Sequence, residues 1–490
     1  MTPSNLFVPA LLTSVLALGG CAVGPRFVTP QAGMPAGWSA TSPNTTTTVP
    51  VESSAGWWRS FGDPELADLI DRAMGANFSV RQAALSIGEA RAQRRMAAAG
   101  AWPQVDATAS YENSRISERT ATSSLLAAAG GGHGGGVAAA IPGLTNPFEQ
   151  YQYGLSATWE LDLFGRVRRG VEAADADTDA AIWDGRAVRV SLMAEVAAAY
   201  LDLRASEARR GVAAAAVETS QALLKLARDS RGHGLTNDVD LAAAAGAAAS
   251  AEAELPPLDR QISADKNQLA LLLALQPGAL DAELDKAAIP LGAPAPVPLS
   301  LPANLARRRP DVRRAEAQLH AAVARQGVAT AALYPAISLN TGFGYQASNT
   351  AQLGAWAAHY LTAGPSLDLP IFDAGQRRAN VKLMDLRARS AALTYAQTVL
   401  TALHEVNDAI TAYASAQSQE ARLAEAAGDQ RAALAMARRS FAAGAISFRD
   451  VLLAQDKQEQ ADLARSQASA QTAQAVVSLY RALGGGWREE

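Results

Sequence analysis

Apolar residues recur in two long segments of this chain at alternating spacings of three and four positions. The segments run from Phe148 to Leu255 and from Ile371 to Glu490, contain no proline and are rich in alanine. This spacing is typical of helices that pack as coiled coils, and the alanines let neighbouring helices approach closely. If about 60 residues of each segment form one helix, that helix is about 90 Å long. Ordinary antiparallel helix hairpins in a soluble bundle are the alternative.

Four shorter segments, one of them at the start of the first long segment, alternate apolar and polar residues instead. The clearest alternation runs from Tyr151 to Leu163 and predicts a strand of about 13 residues with one apolar face, long enough to cross a bilayer at a tilt. A weaker alternation after Pro103 predicts its hairpin partner. A second hairpin follows Pro335, where the dipeptide Gly364-Pro365 predicts a bulge at which the apolar face changes side.

Four strands are too few to close a barrel, and an open sheet edge is not tolerated in hydrocarbon. The chain is therefore expected to oligomerise. Two copies would supply eight strands and three copies would supply twelve.

Two halves of the chain have matching sequences. Glu89–Pro103 matches Ala321–Pro335, and Gly234 with Asp240 matches Gly444 with Asp450. We therefore predict two structural repeats, each with a helix, a strand hairpin and a long helix pair. The predicted divisions are a signal peptide at 1–20, a lipidated tether at 21–60, a first repeat at 61–275 with hairpin 104–164 and helix pair 166–275, a linker at 276–302, and a second repeat at 303–490 with helix 310–333, hairpin 336–371 and helix pair 376–484.

Composition and charge narrow the class of function. The chain has 490 residues and a net charge of −4, which gives no electrostatic reason to expect nucleic acid as a partner. Its single cysteine, Cys21, excludes an intrachain disulfide.

Cys21 ends an apolar N-terminal segment that is too short to span a bilayer. The sequence Leu18-Gly19-Gly20-Cys21 resembles a bacterial lipobox, in which the cysteine becomes the lipidated first residue of the mature protein. Ordinary signal-peptidase cleavage is the alternative. Ala22 follows the cysteine rather than aspartate, so the outer membrane is the expected destination.

Two local motifs predict helix starts. In Asp63-Pro64-Glu65-Leu66 the aspartate is the expected N-cap, and in Arg309-Pro310-Asp311 the proline is the expected first helical residue, with the arginine reaching a neighbouring helix.

The residues typical of enzymes do not converge. The five histidines are scattered without ligand spacing, and the His133 segment His-Gly-Gly-Gly lacks the Gly-x-Ser-x-Gly motif that accompanies it in lipases. There is no phosphate-binding loop. We predict no enzyme activity, no metal and no cofactor beyond a lipid on Cys21, so energy must come from a partner.

Several motifs in order resemble the NodT-type lipoprotein branch of the outer-membrane factors of tripartite efflux pumps. They are WWRSFGDPELADLI from Trp57, WELDLFGRVRR from Trp159, LARRRPDVRRAEAQLHAAVA from Leu305, Leu369–Gly375 and the closing Leu483–Trp487. The resemblance covers almost everything after Cys21. It implies a mainly helical fold with a transmembrane β part, in which a homotrimer forms a TolC-like α-barrel tunnel and a twelve-strand barrel in the outer membrane. The implied partners are a periplasmic adaptor and an inner-membrane resistance-nodulation-division transporter.

The resemblance also implies functional positions at the periplasmic end. Asp450 falls where the family carries acidic gate residues, and Leu453 stands where many relatives have a second aspartate. We expect a ring of Asp450 backed by an apolar constriction of Leu453. The alternative is that Asp450 is a solvated residue or a cap near the turn. The two helix turns are expected to dock the adaptor through Gly234, Leu235, Gly444, Ala445, Ile446 and Ser447.

The function expected from this resemblance is a passive exit duct for small molecules such as drugs. The alternatives are a type I secretion-type export channel and a structural envelope lipoprotein without a pore.

Overall fold

The computed structural model describes residues 22–30, 33, 35–40, 45–46, 56–114, 148–232, 237–285, 297–298 and 308–485. They form two compact units, each built from three separated stretches. The strand unit comprises the described residues within 1–28, 90–178 and 319–391, and the helix unit those within 29–89, 179–318 and 392–490.

Helices make up most of the described chain. They are α1 Pro64–Ala76, α2 Phe78–Ala99, α3 Arg166–Gly232, α4 Asp238–Ala253, α5 Leu255–Leu272, α6 Asp281–Leu284, α7 Pro310–Ala331, α8 Gln376–Ala442 and α9 Phe448–Ala482. Among the described helices, not one combines the length and the apolar character needed to cross a membrane.

Each strand hairpin is preceded by a helix of 22 residues and followed by one of 67 residues. The shorter helices are α2 and α7, and the longer ones are α3 and α8. The second helix of the first pair is interrupted at Glu254 and resumes as α5, because Pro256 lacks the backbone N–H that a continuous helix needs.

The strands of the described chain are β1 Thr45–Thr46, β2 Gln104–Ser114, β3 Phe148–Leu161, β4 Val297–Pro298, β5 Ala336–Ala347 and β6 His359–Asp368. The short strands β1 and β4 form a parallel pair, and the other four form one antiparallel sheet in the strand unit, in the order β2-β3-β5-β6. Cross-strand neighbours place Val105 opposite Ala157, Leu155 opposite Phe343, and Phe343 opposite Leu361. Because directly opposed residues share a face, the four strands present one continuous apolar face.

The bulge predicted at Gly364-Pro365 is wrong. Pairing of β5 with β6 is uninterrupted from Ala336 with Asp368 to Tyr345 with His359, and Pro365 lies opposite Leu339. In the described sheet β6 is an edge strand that pairs only with β5, and a residue without a backbone N–H is tolerated in such a strand. The apolar face therefore does not change side.

The start of α1 anchors a core in the helix unit. Asp63 accepts hydrogen bonds from the backbone N–H groups of Glu65 and Leu66 at 2.9 and 3.4 Å, which confirms the predicted N-cap. Trp57, in the short 3₁₀ helix Trp57–Phe61, stacks on Tyr480 of α9 with ring centroids 5.0 Å apart. Trp57, Tyr480 and the apolar face of α1 are buried.

The start of α7 is tied to the end of α9. Arg309 donates from Nε and Nη2 to the two carboxylate oxygens of Asp311 at 3.0 and 2.6 Å, and from Nη1 to the carbonyl of Ala482 at 2.9 Å. Arg309 also lies 2.6 Å from a carboxylate oxygen of Glu405 in α8. The predicted helix start at Pro310 and the predicted contact of the arginine with a neighbouring helix are both confirmed.

Candidate functional site

The turn between α8 and α9 is closed by backbone hydrogen bonds that require a left-handed residue. Gly444 has a φ of 74°, and its N–H donates to the carbonyl of Phe441 at 2.8 Å while the N–H of Ala445 donates to that of Ser440 at 2.9 Å. This pair of bonds is a Schellman motif, which satisfies carbonyls left free at a helix end.

Asp450 and Ser447 then start α9 by capping each other. Oδ2 of Asp450 accepts hydrogen bonds from the backbone N–H and the hydroxyl of Ser447 at 3.0 and 2.6 Å, and the Ser447 hydroxyl accepts one from the N–H of Asp450 at 3.4 Å. This arrangement is a capping box. The hydrogen bonds from Ser447 lower the pKa of Asp450 below its ordinary value, so the exposed carboxylate stays charged.

Leu453 lies one helical turn beyond Asp450. Residues three apart share a helix face, and both side chains are exposed, Leu453 to 53 %. The two predicted gate residues therefore form one acidic and apolar patch on the outside of this chain. Whether copies of that patch meet in a ring stays a prediction.

An apolar cluster fixes this turn against the neighbouring helices. Its buried members are Leu223, Ala227, Ala244, Leu434, Phe448 and Val451, which come from α3, α4, α8 and α9. The rings of Phe441 and Phe448 meet edge to face with centroids 5.5 Å apart, across the turn. Of the predicted docking residues, Ile446 packs against this cluster, whereas Gly444, Ala445 and Ser447 are exposed.

The structure describes only part of the turn between α3 and α4. Gly234 and Leu235, predicted to dock the adaptor, lie outside the described residues. On the α4 side of the turn, Asn237 caps the helix by accepting from the N–H of Asp240 at 2.9 Å. At the end of α3, Arg231 donates from Nε to Oδ1 of Asp238 at 2.7 Å.

Buried polar contacts join α9 to its neighbours and were missed by the sequence analysis. Nε2 of Gln455 donates to the hydroxyl of Ser220 in α3 at 2.5 Å, and Asp462 pairs with Arg431 of α8. Gln455 and Asp462 continue the heptad stripe of Phe448 and Val451, which was the signal that could have found them. Their polar side chains had made them look like surface positions.

The predicted lipidation residue, Cys21, lies outside the described residues, but the residues after it are placed in the strand unit. The N–H of Val23 donates to the carbonyl of Phe164 at 3.1 Å, between β3 and α3. The ring of Phe164 stacks on Tyr334, which precedes β5, with centroids 4.9 Å apart. Ala22 therefore lies at the level of the strand unit where the apolar strands end and the long helices begin.

No three His, Cys, Asp or Glu side chains within the described ranges are grouped to hold a metal ion. The chemistry available at the turn is charge and apolar contact.

Comparison with known proteins gives a consistent result. A family model described as Outer membrane efflux protein matches residues 69–275 and 301–485. Outer membrane protein OprJ of Pseudomonas aeruginosa is 33% identical over 491 residues, which cover 98% of this chain and 96% of OprJ. The probable outer membrane lipoprotein SilC of Salmonella typhimurium is 28% identical over 488 residues, 98% of each chain. The solved structure of the outer-membrane channel OprN superimposes with a TM-score of 0.83 at 32% identity, covering 95% of this chain and 100% of that one.

Proposed function

Because this chain belongs to the outer membrane efflux protein family, we propose that it forms the passive exit duct of a tripartite pump. Small molecules enter the duct from the periplasm and leave at the cell exterior. The observation that carries the proposal is the four-stranded sheet, which has a continuous apolar face and is matched over its length to the family.

The sheet supports assembly from several copies. In the described sheet, β2 and β6 each pair on one side only, and their free N–H and C=O groups have no water to bond in hydrocarbon. Three copies would join these edges into twelve strands. The trimer, the barrel and the two repeats belong to this proposal, and the equal helix lengths around the two hairpins support the repeats.

Exposed leucines support a helical wall built by the same copies. Leu386, Leu393 and Leu400 recur at every seventh position of α8 and are 52%, 73% and 57% exposed. A stripe with this period is typical of a coiled-coil seam, and the described part of the chain leaves it uncovered. A neighbouring copy would cover it.

The exposed patch of Asp450 and Leu453 supports a gate at the periplasmic mouth. Three Asp450 carboxylates at a narrow opening would attract cations, and three Leu453 side chains would resist wetting when the mouth is shut. The adaptor docks on the adjacent turn, with Gly444, Ala445, Ile446 and Ser447 and the corresponding Gly234 and Leu235. It opens the mouth, and an inner-membrane transporter supplies the energy.

Family membership favours efflux over a type I secretion channel. The apolar sheet face favours a duct over a structural lipoprotein without a pore, since a scaffold has no use for strands of bilayer length.

Two measurements test the proposal together. Particle images of the full-length protein in detergent should show a hollow cylinder with three-fold symmetry that narrows near Asp450 and Leu453. Cells lacking the gene should become more sensitive to exported drugs and regain resistance when it is restored. The proposed duct would be excluded by solid particles, or by monomers together with an unchanged drug sensitivity of the cells that lack the gene.

A further inference from the structure

A basic pocket lies beside the first residues after Cys21. It has a volume of about 340 Å³ and is lined by Ala22, Arg26, Phe27, Arg168, Arg169, Glu172 and His320, all of them in the strand unit. Three arginines face one carboxylate there. The duct function gives this pocket no role.

The N-terminal strip that forms one wall of the pocket is held in place on both sides of Arg26. Phe27 stacks on His320 of α7 with ring centroids 4.4 Å apart and planes at 15°. Gly24 has a φ of 93° and lies so close to α7 that a Cβ atom on it would be 2.8 Å from the Cα of Gly327. These contacts fix the N-terminal strip, so the shape of the pocket does not depend on a ligand being bound.

The charges in the pocket are only partly balanced. Arg168 donates from Nε to Oδ2 of Asp162 at 3.3 Å, Arg169 donates to Glu172 at 2.7 Å, and His320 lies 3.0 Å from the other oxygen of Glu172. Arg26 is exposed and forms no ion pair with any residue that the structure describes. One positive charge is left over, and Arg168, about half exposed, can still donate to a ligand.

The position of the pocket indicates what the ligand is. Arg168 and Arg169 lie in the first turn of α3, a few residues after β3 ends at Leu161, so the pocket is at the level where the apolar strand face stops. Acyl chains on Cys21 would enter the membrane next to Ala22. Lipid headgroups occupy that level, and arginine binds a phosphate with two parallel hydrogen bonds.

We propose that this pocket binds the phosphate of a phospholipid headgroup, held by Arg26 and Arg168, beside the lipidated N-terminus. The inference rests on the proposed placement in the outer membrane but assigns a ligand that the duct function does not require. The bound lipid would fix the depth of the N-terminal strip and of the α3 start at the membrane surface.

Native mass spectrometry of the full-length protein in detergent, titrated with phosphatidylglycerol, tests the site. The double variant Arg26→Gln/Arg168→Gln should bind the lipid about a hundredfold more weakly, because each of the two charged hydrogen bonds to phosphate contributes a factor of about ten or more. The control Arg95→Gln/Arg378→Gln removes two exposed arginines elsewhere in the strand unit and should bind like the wild type. Arg26→Lys keeps the charge but not the two parallel hydrogen bonds, so its affinity should fall between those of the wild type and of the double variant.

Three results would overturn the headgroup site. Equal binding by the double variant and the wild type would mean that the pocket is not used, and equal weakening in the control would mean that general surface charge attracts the lipid. Displacement of the lipid by inorganic phosphate at matched concentration would show a free-anion site. Drug resistance of cells carrying the wild-type gene tests the duct separately, so the failure of one proposal is distinguishable from failure of the other.

Discussion

Asp450 directs a single carboxylate oxygen at Ser447, and this contact gives it two roles that can be separated. As a cap it stabilises the start of α9, and as an exposed charge it can act on ions at the proposed mouth. The cap needs a hydrogen-bond acceptor, whereas attraction of cations needs a negative charge.

The substitution Asp450→Asn should therefore lower the cation preference of the channel and leave its thermal stability nearly unchanged, because the amide oxygen can still accept from Ser447. The complementary substitution Ser447→Ala should lower helix stability by about 1 kcal/mol and leave cation preference intact. Reversal potentials across planar bilayers under a salt gradient measure the first effect, and melting in detergent measures the second. An unchanged reversal potential in Asp450→Asn would remove the gate assignment.

Asp311 makes stability depend on acid. Burial by itself would raise its pKa, but the hydrogen bonds and the charge of Arg309 outweigh burial and lower the pKa below the ordinary value. The unfolded chain therefore takes up the proton first as pH falls. The stabilisation is complete above the unfolded pKa of about 3.9 and is lost as pH falls through the lower folded value.

At pH 7 the substitution Asp311→Asn should destabilise the protein by about 2 kcal/mol, since it removes one partner of a charged pair. The difference from the wild type should shrink below about pH 4, where the wild-type carboxyl is also protonated. Asp429→Asn, at an exposed position of α8, is the control and should change little. A difference that stays constant between pH 7 and pH 3 would show that the pair does not act in this way.

Residues with a local signature could be predicted from the sequence. Asp63 before a proline and Gly444 at a helix reversal each need only their neighbours to be understood. The heptad stripe could place Gln455 and Asp462 on the packed face of α9, but the residues of other helices that pair with them could not be identified from the sequence. Ser220 lies on another helix, distant in the sequence.

At the scale of the element, two glycines of α8 and its turn have opposite effects on the same helix. Gly444 follows the helix end with a positive φ, whereas Gly428 lies inside the helix, exposed and with open space where a Cβ atom would lie. Glycine weakens a helix interior but favours a left-handed end.

Gly444→Ala should lower stability by about 1–2 kcal/mol, the strain of an L-residue in the left-handed region. Gly428→Ala should raise it by about 0.5–1 kcal/mol, because alanine restricts the unfolded chain and favours helix. Melting temperatures of the two variants in the same detergent should thus move in opposite directions. Shifts of the same sign would contradict the assigned turn.

Strand pairing shows where element prediction succeeds and where it stops. The alternation from Tyr151 to Leu163 identified a strand with one apolar face, and β3 is found there. The supposed bulge at Gly364-Pro365 was wrong because each residue disfavours a central strand, whereas β6 lies at the edge of the described sheet. Whether a strand lies at the edge or in the centre depends on the order of all strands in the sheet, so it cannot be predicted from the sequence of one strand.

At the scale of the whole molecule, the sequence predicted that several copies of the chain must associate, but it did not predict the number of copies. Strand count excludes closure by one chain, while eight and twelve strands both satisfy the backbone. Twelve was selected by family resemblance, because the curvature of a barrel depends on contacts between copies that one sequence does not display.

Attachment of the N-terminus gives a prediction that has only two outcomes. Cys21 is the single cysteine, so Cys21→Ser should abolish incorporation of labelled palmitate completely. The strands should still keep the variant in the outer membrane, since lipid chains add to the apolar sheet face rather than replace it. Labelling that persists in the variant, or a mature N-terminus mapped to another residue, would exclude the lipobox.

The two unpaired edges of the sheet also have a kinetic consequence. A single chain that entered the bilayer alone would leave the backbone groups of β2 and β6 unbonded, at a cost of several kcal/mol for each group. Insertion and association must then occur as one event, and the rate at which mature protein appears should rise faster than in proportion to the number of chains supplied. Scarce chains would accumulate as unassembled precursors in the periplasm, where quality-control proteases can reach them. The level of expression, and not only the sequence, would decide how much of the protein reaches the membrane.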